Sequence, residues 1–146
     1  MTTENSKAVN EGQIRALIDE RVRAIRGKDA DALLSNYAAG VVMFNLAPPL
    51  QSTGADKKGA EEWFSWYRGP IHCEVRDLSI TTGGDAAFCH YLYRISGTKT
   101  DGEGVDMWVR TTMGFHRIEG KWAITHEHQS VPFDMQTFKA LLDLKP

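Results

Sequence analysis

Between Asn10 and Arg26 the apolar residues Ile14, Leu17, Ile18, Val22 and Ile25 recur at steps of three and four. This is the spacing of a helix with one buried face. Gly27 and Lys28 interrupt the pattern and Asp29 offers an N-cap side chain. Helical spacing then resumes from Ala30 to Ala38 through Leu33, Leu34 and Tyr37, and Gly40 closes it. Val41-Val42-Met43-Phe44 is a β-branched and aromatic run ahead of the breaker segment Ala47-Pro48-Pro49, which predicts a short strand. A third helix is predicted from Gly59 to Arg68, with Trp63, Phe64 and Tyr67 at helical spacing, Trp66 beside them and Gly69-Pro70 as its end.

From Ile71 the pattern becomes strand-like. The segments Ile71 to Thr82, Ala86 to Lys99, Gly104 to Arg117 and Lys121 to Ser130 are divided by Gly83-Gly84-Asp85, Asp101-Gly102 and Glu119-Gly120. Turn chemistry at these separators predicts a meander of long antiparallel strands. Met135 to Leu144, with Phe138, Leu141 and Leu142, is expected to form a short terminal helix. Helices first and a meander last is an α+β pattern in which helices cover one face of the sheet. No repeat or linker divides the chain, so residues 10–146 are read as a single domain after a flexible, polar segment at 1–9.

Composition narrows the function classes. The chain has 146 residues, one domain's worth, with 17 basic and 19 acidic side chains and a formal charge of −2. No Lys/Arg run could follow a phosphate backbone, so no nucleic-acid partner is expected. No stretch approaches the roughly 18 apolar residues of a membrane span, and a soluble, cytoplasmic protein without a membrane partner is expected. Cys73 and Cys89 are read as free buried thiols, with a cross-strand disulfide as the alternative. GxSxG, P-loop, dinucleotide and HExxH motifs are all absent, and no cofactor is expected.

Phe115-His116-Arg117-Ile118-Glu119-Gly120-Lys121-Trp122 and His126-Glu127-His128-Gln129-Ser130 resemble the final hairpin of the calcium/calmodulin-dependent kinase association domain and of SnoaL-like proteins. Tyr91-Leu92-Tyr93-Arg94-Ile95 resembles the strand that carries a pocket arginine in that association domain. With the order of elements, this is similar to the nuclear-transport-factor-2-like superfamily, which includes ketosteroid isomerase. The resemblance implies a cone-shaped, cystatin-like fold, with a curved antiparallel sheet whose concave face meets the helices around a pocket. Its convex face often forms a homodimer. It also implies that Arg94 sits in the pocket and that Gln129 takes the place of a pocket arginine, turning Glu127 and Gln129 inward and His126 and His128 outward. Members range from isomerases and cyclases to assembly hubs, so the fold does not choose among functions.

Strand alternation groups the polar candidates. Asp106, Trp108, Arg110 and Thr112 share one face of the third long strand. On the last strand Trp122, Ile124, His126 and His128 lie opposite Ala123, Thr125, Glu127 and Gln129. A two-residue turn at Glu119-Gly120 pairs Thr112 with Glu127 and Arg110 with Gln129, whereas a bulged loop shifts Arg110 to His128. An arginine facing a carboxylate suits an anionic or carbonyl ligand, with Arg110 stabilising an oxyanion and Glu127 acting as general base. The same pair would equally serve as a structural ion pair. His126-x-His128, with His90 or His116, has a spacing two imidazoles could use on a metal, but sheet or interface histidines are the reading preferred here, and no metal is assigned.

Trp63 and Tyr67 are candidate pocket walls, or simply core. Ketosteroid-isomerase chemistry is not supported, because Met43-Phe44-Asn45-Leu46 lacks the base carboxylate and the first helix has no Tyr. Two readings follow. One is a small-molecule binder, or an acid–base isomerase, cyclase or hydrolase, acting on an apolar carbonyl or carboxylate compound. The other is a non-catalytic dimerisation module with a vestigial pocket.

Overall fold

The computed structural model describes residues 3–146. The elements are α1 (Thr3–Arg26), α2 (Ala30–Leu34), β1 (Tyr37–Phe44), β2 (Ser52–Thr53), α3 (Lys57–Ser65), β3 (Tyr67–Gly83), β4 (Ala86–Lys99), β5 (Gly104–Ile118) and β6 (Lys121–Ser130). They build one curved, unclosed sheet in the order β2-β1-β6-β5-β4-β3, with α1 packed on its inner face. The fold is α+β, as the pattern of elements predicts. The meander β3 to β6 is antiparallel, but β1 runs parallel to β6, so the sheet is mixed rather than wholly antiparallel.

α1 begins at Thr3, eleven residues ahead of Ile14, the first residue of its apolar stripe, so residues 3–9 are helix where the sequence suggests a flexible segment. Its polar residues tie it to the last hairpin. The Trp122 indole donates to Gln13 Oε1 at 3.0 Å, the Arg117 guanidinium bonds Asn10, and Arg117 also stacks 4.5 Å above the Trp122 ring. The buried stripe of α1 is Ile14, Leu17, Ile18, Arg21, Ala24 and Ile25, which includes an arginine. Asp29 caps α2 by accepting from Ala32 N at 3.0 Å.

Three boundaries differ from the pattern. The second helix stops at Leu34, because Tyr37 is taken into the ladder beside Ile124 and Asn36 O accepts from Ile124 N at 2.8 Å. The third helix stops at Ser65, and Tyr67 opens β3 opposite Lys99. Gly97 makes room for that Tyr67 ring, since a Cβ there would lie 3.1 Å from Tyr67 Cδ1. Residues 135–144 form no helix. Asp134 instead accepts from the amides of Gln136 and Thr137, Phe138 adopts φ 59°, and Phe133 bridges Ala140.

Glu119 and Gly120, with φ of 50° and 80°, form a two-residue turn that sets Ile118 against Lys121. The ladder does not keep that register. Phe115 pairs with Ile124 but Gly114 pairs with His126, leaving Thr125 as a one-residue bulge. Cys73 and Cys89 are free and buried, and their partners Ile95 and Ile80 show them out of register with each other.

Candidate functional site

The bulge at Thr125 decides which side chains of β6 face α1. Strict alternation would put Trp122 and Ile124 on the face opposite Glu127 and Gln129. The extra residue restores both sets to one face, so Trp122, Ile124 and Glu127 are all buried against the helix. Arg21, at the centre of the α1 stripe, reaches across the core to Glu127, with Nη2 2.6 Å from Oε1. The phenol of Tyr37, at the start of β1, accepts from Arg21 Nη1 at 2.6 Å and donates to Glu127 Oε1 at 2.8 Å. Helix, first strand and last strand thus meet in one buried charged cluster.

Tyr91 and Tyr93 of β4 complete this inner surface and are also buried. They line an interior cavity of about 10 Å³ with Arg21, Val22, Cys73 and Val75, room for little more than a water. Burial opposes charge on Arg21, but Glu127 and the surrounding phenols more than offset it and hold the guanidinium well above its usual value. Burial raises the Tyr37 phenol, Glu127 raises it further and Arg21 opposes both, so it stays protonated. Burial likewise raises Tyr91 and Tyr93. The thiols of Cys73 and Cys89 are pushed up to about 11 and about 12, chiefly by burial.

Gln129 also lies on the inner side, with Nε2 3.4 Å from Glu127 Oε2. It borders an open cleft of about 440 Å³ together with Phe44, Asn45, Leu50, Gln51 and His128. The other candidates lie elsewhere. Arg94 is on the outer face of the sheet, not in the interior: it makes two 2.8 Å bonds to Asp106, sits 3.4 Å from Glu74, and edges an open groove of about 330 Å³. Trp108, opposite Arg94 in the ladder, is on that face too. Arg110 and Thr112 are exposed there, and Arg110 donates to Ser130 Oγ at 3.0 Å, so no arginine–carboxylate pair forms between Arg110 and Glu127. Their placement follows from alternation around the buried Val109, Thr111 and Met113.

His126 and His128 point outward, where both pack edge-on against Phe44, and Nδ1 of His126 lies 2.8 Å from Val42 O. Among the described residues no group of three or more His, Cys, Asp or Glu is placed to hold a metal. Trp63 packs on Phe64 and Tyr67, with ring centroids 5.2 and 5.9 Å away, so these aromatics are core packing rather than a pocket wall.

The SnoaL-like domain model matches residues 14–134, most of the chain. The chain belongs to the SnoaL-like family. An NTF2-like protein of unknown function from Pseudomonas putida KT2440 is 36% identical, with a TM-score of 0.86 over 95% of this chain and 98% of that one. An NTF2-like superfamily protein from Salmonella enterica is 14% identical, with a TM-score of 0.76 over 92% of this chain and 99% of that one. The association domain of C. elegans CaMKII is 18% identical, with a TM-score of 0.69 over 87% of this chain and 99% of that one. These last two likenesses show the fold alone. No curated protein matches the chain.

In this SnoaL-like chain, four residues of the cluster and its inner surface escape a reading of the sequence. Arg21 lies three, four and seven residues after Ile18, Leu17 and Ile14, and a charge inside an apolar stripe is the signal that finds it. Tyr91 and Tyr93 alternate with Arg94's face, and both are buried because the tyrosine face is the inner one. Tyr37 gives no such signal, since its pattern fits a helix equally well.

Proposed function

We propose that this SnoaL-like protein binds a small apolar compound carrying a carbonyl group, with Arg21, Tyr37 and Glu127 as the recognition centre. The buried charged cluster carries this reading. Well-packed apolar residues would fill such a space at no loss of stability, and often with a gain, so a charged pair with three phenols around it favours a role in recognition. Arg21 is already neutralised by Glu127, which favours a carbonyl over a carboxylate. Glu127 is also the group suited to general acid–base chemistry of an isomerase, cyclase or hydrolase type. The free buried thiols fit a reducing compartment and support a cytoplasmic location.

A titration of isotope-labelled protein with small neutral ketones, followed by NMR, tests the reading. Ligand-induced shifts at Arg21, Tyr37 and Glu127, weakened in Glu127→Gln, are expected. Absence of shifts at these residues with every ketone tried would overturn it.

The second reading is an assembly module. The outer face of β4 and β5 carries Phe88, about half exposed, and Trp108 between charged neighbours, which suits a homodimer through the convex face. The interior cavity of about 10 Å³ supports it as well, because it admits no ligand of useful size without movement.

A further inference from the structure

We propose that Thr111, Gln129 and Oε2 of Glu127 form a hydrogen-bonding subsite for a neutral hydroxy-carbonyl compound. This rests on the interior cluster being a ligand site, and it names the class of ligand.

The two oxygens of Glu127 are not equivalent. Oε1 takes both strong interactions, from Arg21 at 2.6 Å and from Tyr37 at 2.8 Å. Oε2 receives the Gln129 amide at 3.4 Å, a weak bond. An ionised carboxylate has about four acceptor positions, so Oε2 retains unused capacity beside the Gln129 amide.

Thr111 supplies the second, independent observation. It is 2% exposed, and among the described residues its Oγ1 is the buried side-chain polar atom with no hydrogen-bond partner. Such an orphan is costly, and native proteins seldom keep one. Thr111 stands directly opposite Gln129 on one side and Tyr91 on the other, while its near neighbour Met113 stands opposite Glu127. Directly opposed residues have Cβ atoms about 5 Å apart, so the hydroxyl and the amide share one patch of the inner face.

The chemistry of this patch selects its ligand. Oε2 only accepts, so it calls for a donor such as a hydroxyl. The Thr111 hydroxyl and the Gln129 amide can donate, so they call for an acceptor such as a carbonyl oxygen. A carboxylate ligand would meet Oε2 with like charge, because the positive charge of Arg21 is already paired. Val109 and Met113, which flank Thr111 on the same inner face, provide the apolar surface beside it.

The test titrates the full-length labelled chain with hydroxyacetone, acetone and acetate, read at the Gln129 side-chain amide and the backbone amides of Tyr37, Thr111 and Glu127. Hydroxyacetone is expected to bind at least about fivefold more tightly than either comparator, the worth of one net hydrogen bond. Thr111→Val should lose about fivefold of that affinity while Thr111→Ser keeps it within about twofold, as one bond's worth predicts. Unliganded Thr111→Val should be at least as stable as the parent chain, which separates lost binding from lost folding. Should acetone or acetate move the Glu127 signal while Thr111→Val changes nothing, the interior centre stands and the subsite falls. Should no probe move the four signals up to its solubility, both fall.

Discussion

Arg21 of α1 and Glu127 of β6 meet at 2.6 Å in the core, 106 residues apart in the chain and both at least nine-tenths buried. Removing one partner leaves the other as an uncompensated buried charge. Glu127→Ala is therefore expected to cost about 3–5 kcal/mol of stability in urea unfolding, whereas the double variant Arg21→Met/Glu127→Leu should regain most of that loss. A double variant no more stable than Glu127→Ala would show that the pair's worth is not one of mutual compensation.

Tyr37 links the two charges through its hydroxyl, accepting from one and donating to the other. Tyr37→Phe keeps the ring and deletes both bonds, with an expected loss of about 1.5–3 kcal/mol in thermal or urea unfolding. A loss well below that would mean that Arg21 and Glu127 close the gap directly.

Thr125 and Ala123 are both half-buried residues of β6, yet their deletions should differ sharply. Deleting Thr125 removes the bulge and leaves Ile124 and Glu127 still facing α1, so a folded protein with native tryptophan fluorescence is expected. Deleting Ala123 keeps the bulge but turns Trp122 outward, separating it from Gln13 and Arg117, and should abolish cooperative unfolding. Equal behaviour of the two deletions would refute this account of the strand's phase.

Cys73 and Cys89 should resist a thiol reagent at pH 8 in the native protein and react together in denaturant, because their folded values of about 11 and about 12 keep both protonated. A raised folded value gives stability that is complete below the ordinary thiol range and declines as pH rises through the folded value. The decline of stability in alkali should therefore be shallower in Cys89→Ala. Denaturation scans from pH 8 upward measure it.

The outer face gives a prediction about assembly. If Phe88 and Trp108 meet a second copy, light scattering after gel filtration should report twice the chain mass, and Phe88→Lys should halve it. A parent chain that runs as a monomer at high concentration would remove the dimer.

The sequence by itself determined the elements whose causes are local. The stripe of α1, the Asp29 cap, the Glu119-Gly120 turn and the alternation along β4 and β5 follow from neighbours within a few residues, and the α+β order follows from them. Helix ends at Tyr37 and Tyr67 were not legible, because those residues go to whichever partner strand accepts them, and that strand lies dozens of residues away. The site depended still more on the tertiary structure. Glu127 and Gln129 were visible as candidates, but only the bulge at Thr125 puts them on the same face as Trp122 and Ile124, and the turn residues give no sign of it. Arg21 became the partner of Glu127 because the packing of α1 on the sheet brings them together, and Arg94 that of Asp106 because the β4–β5 register sets them diagonally opposite on the outer face.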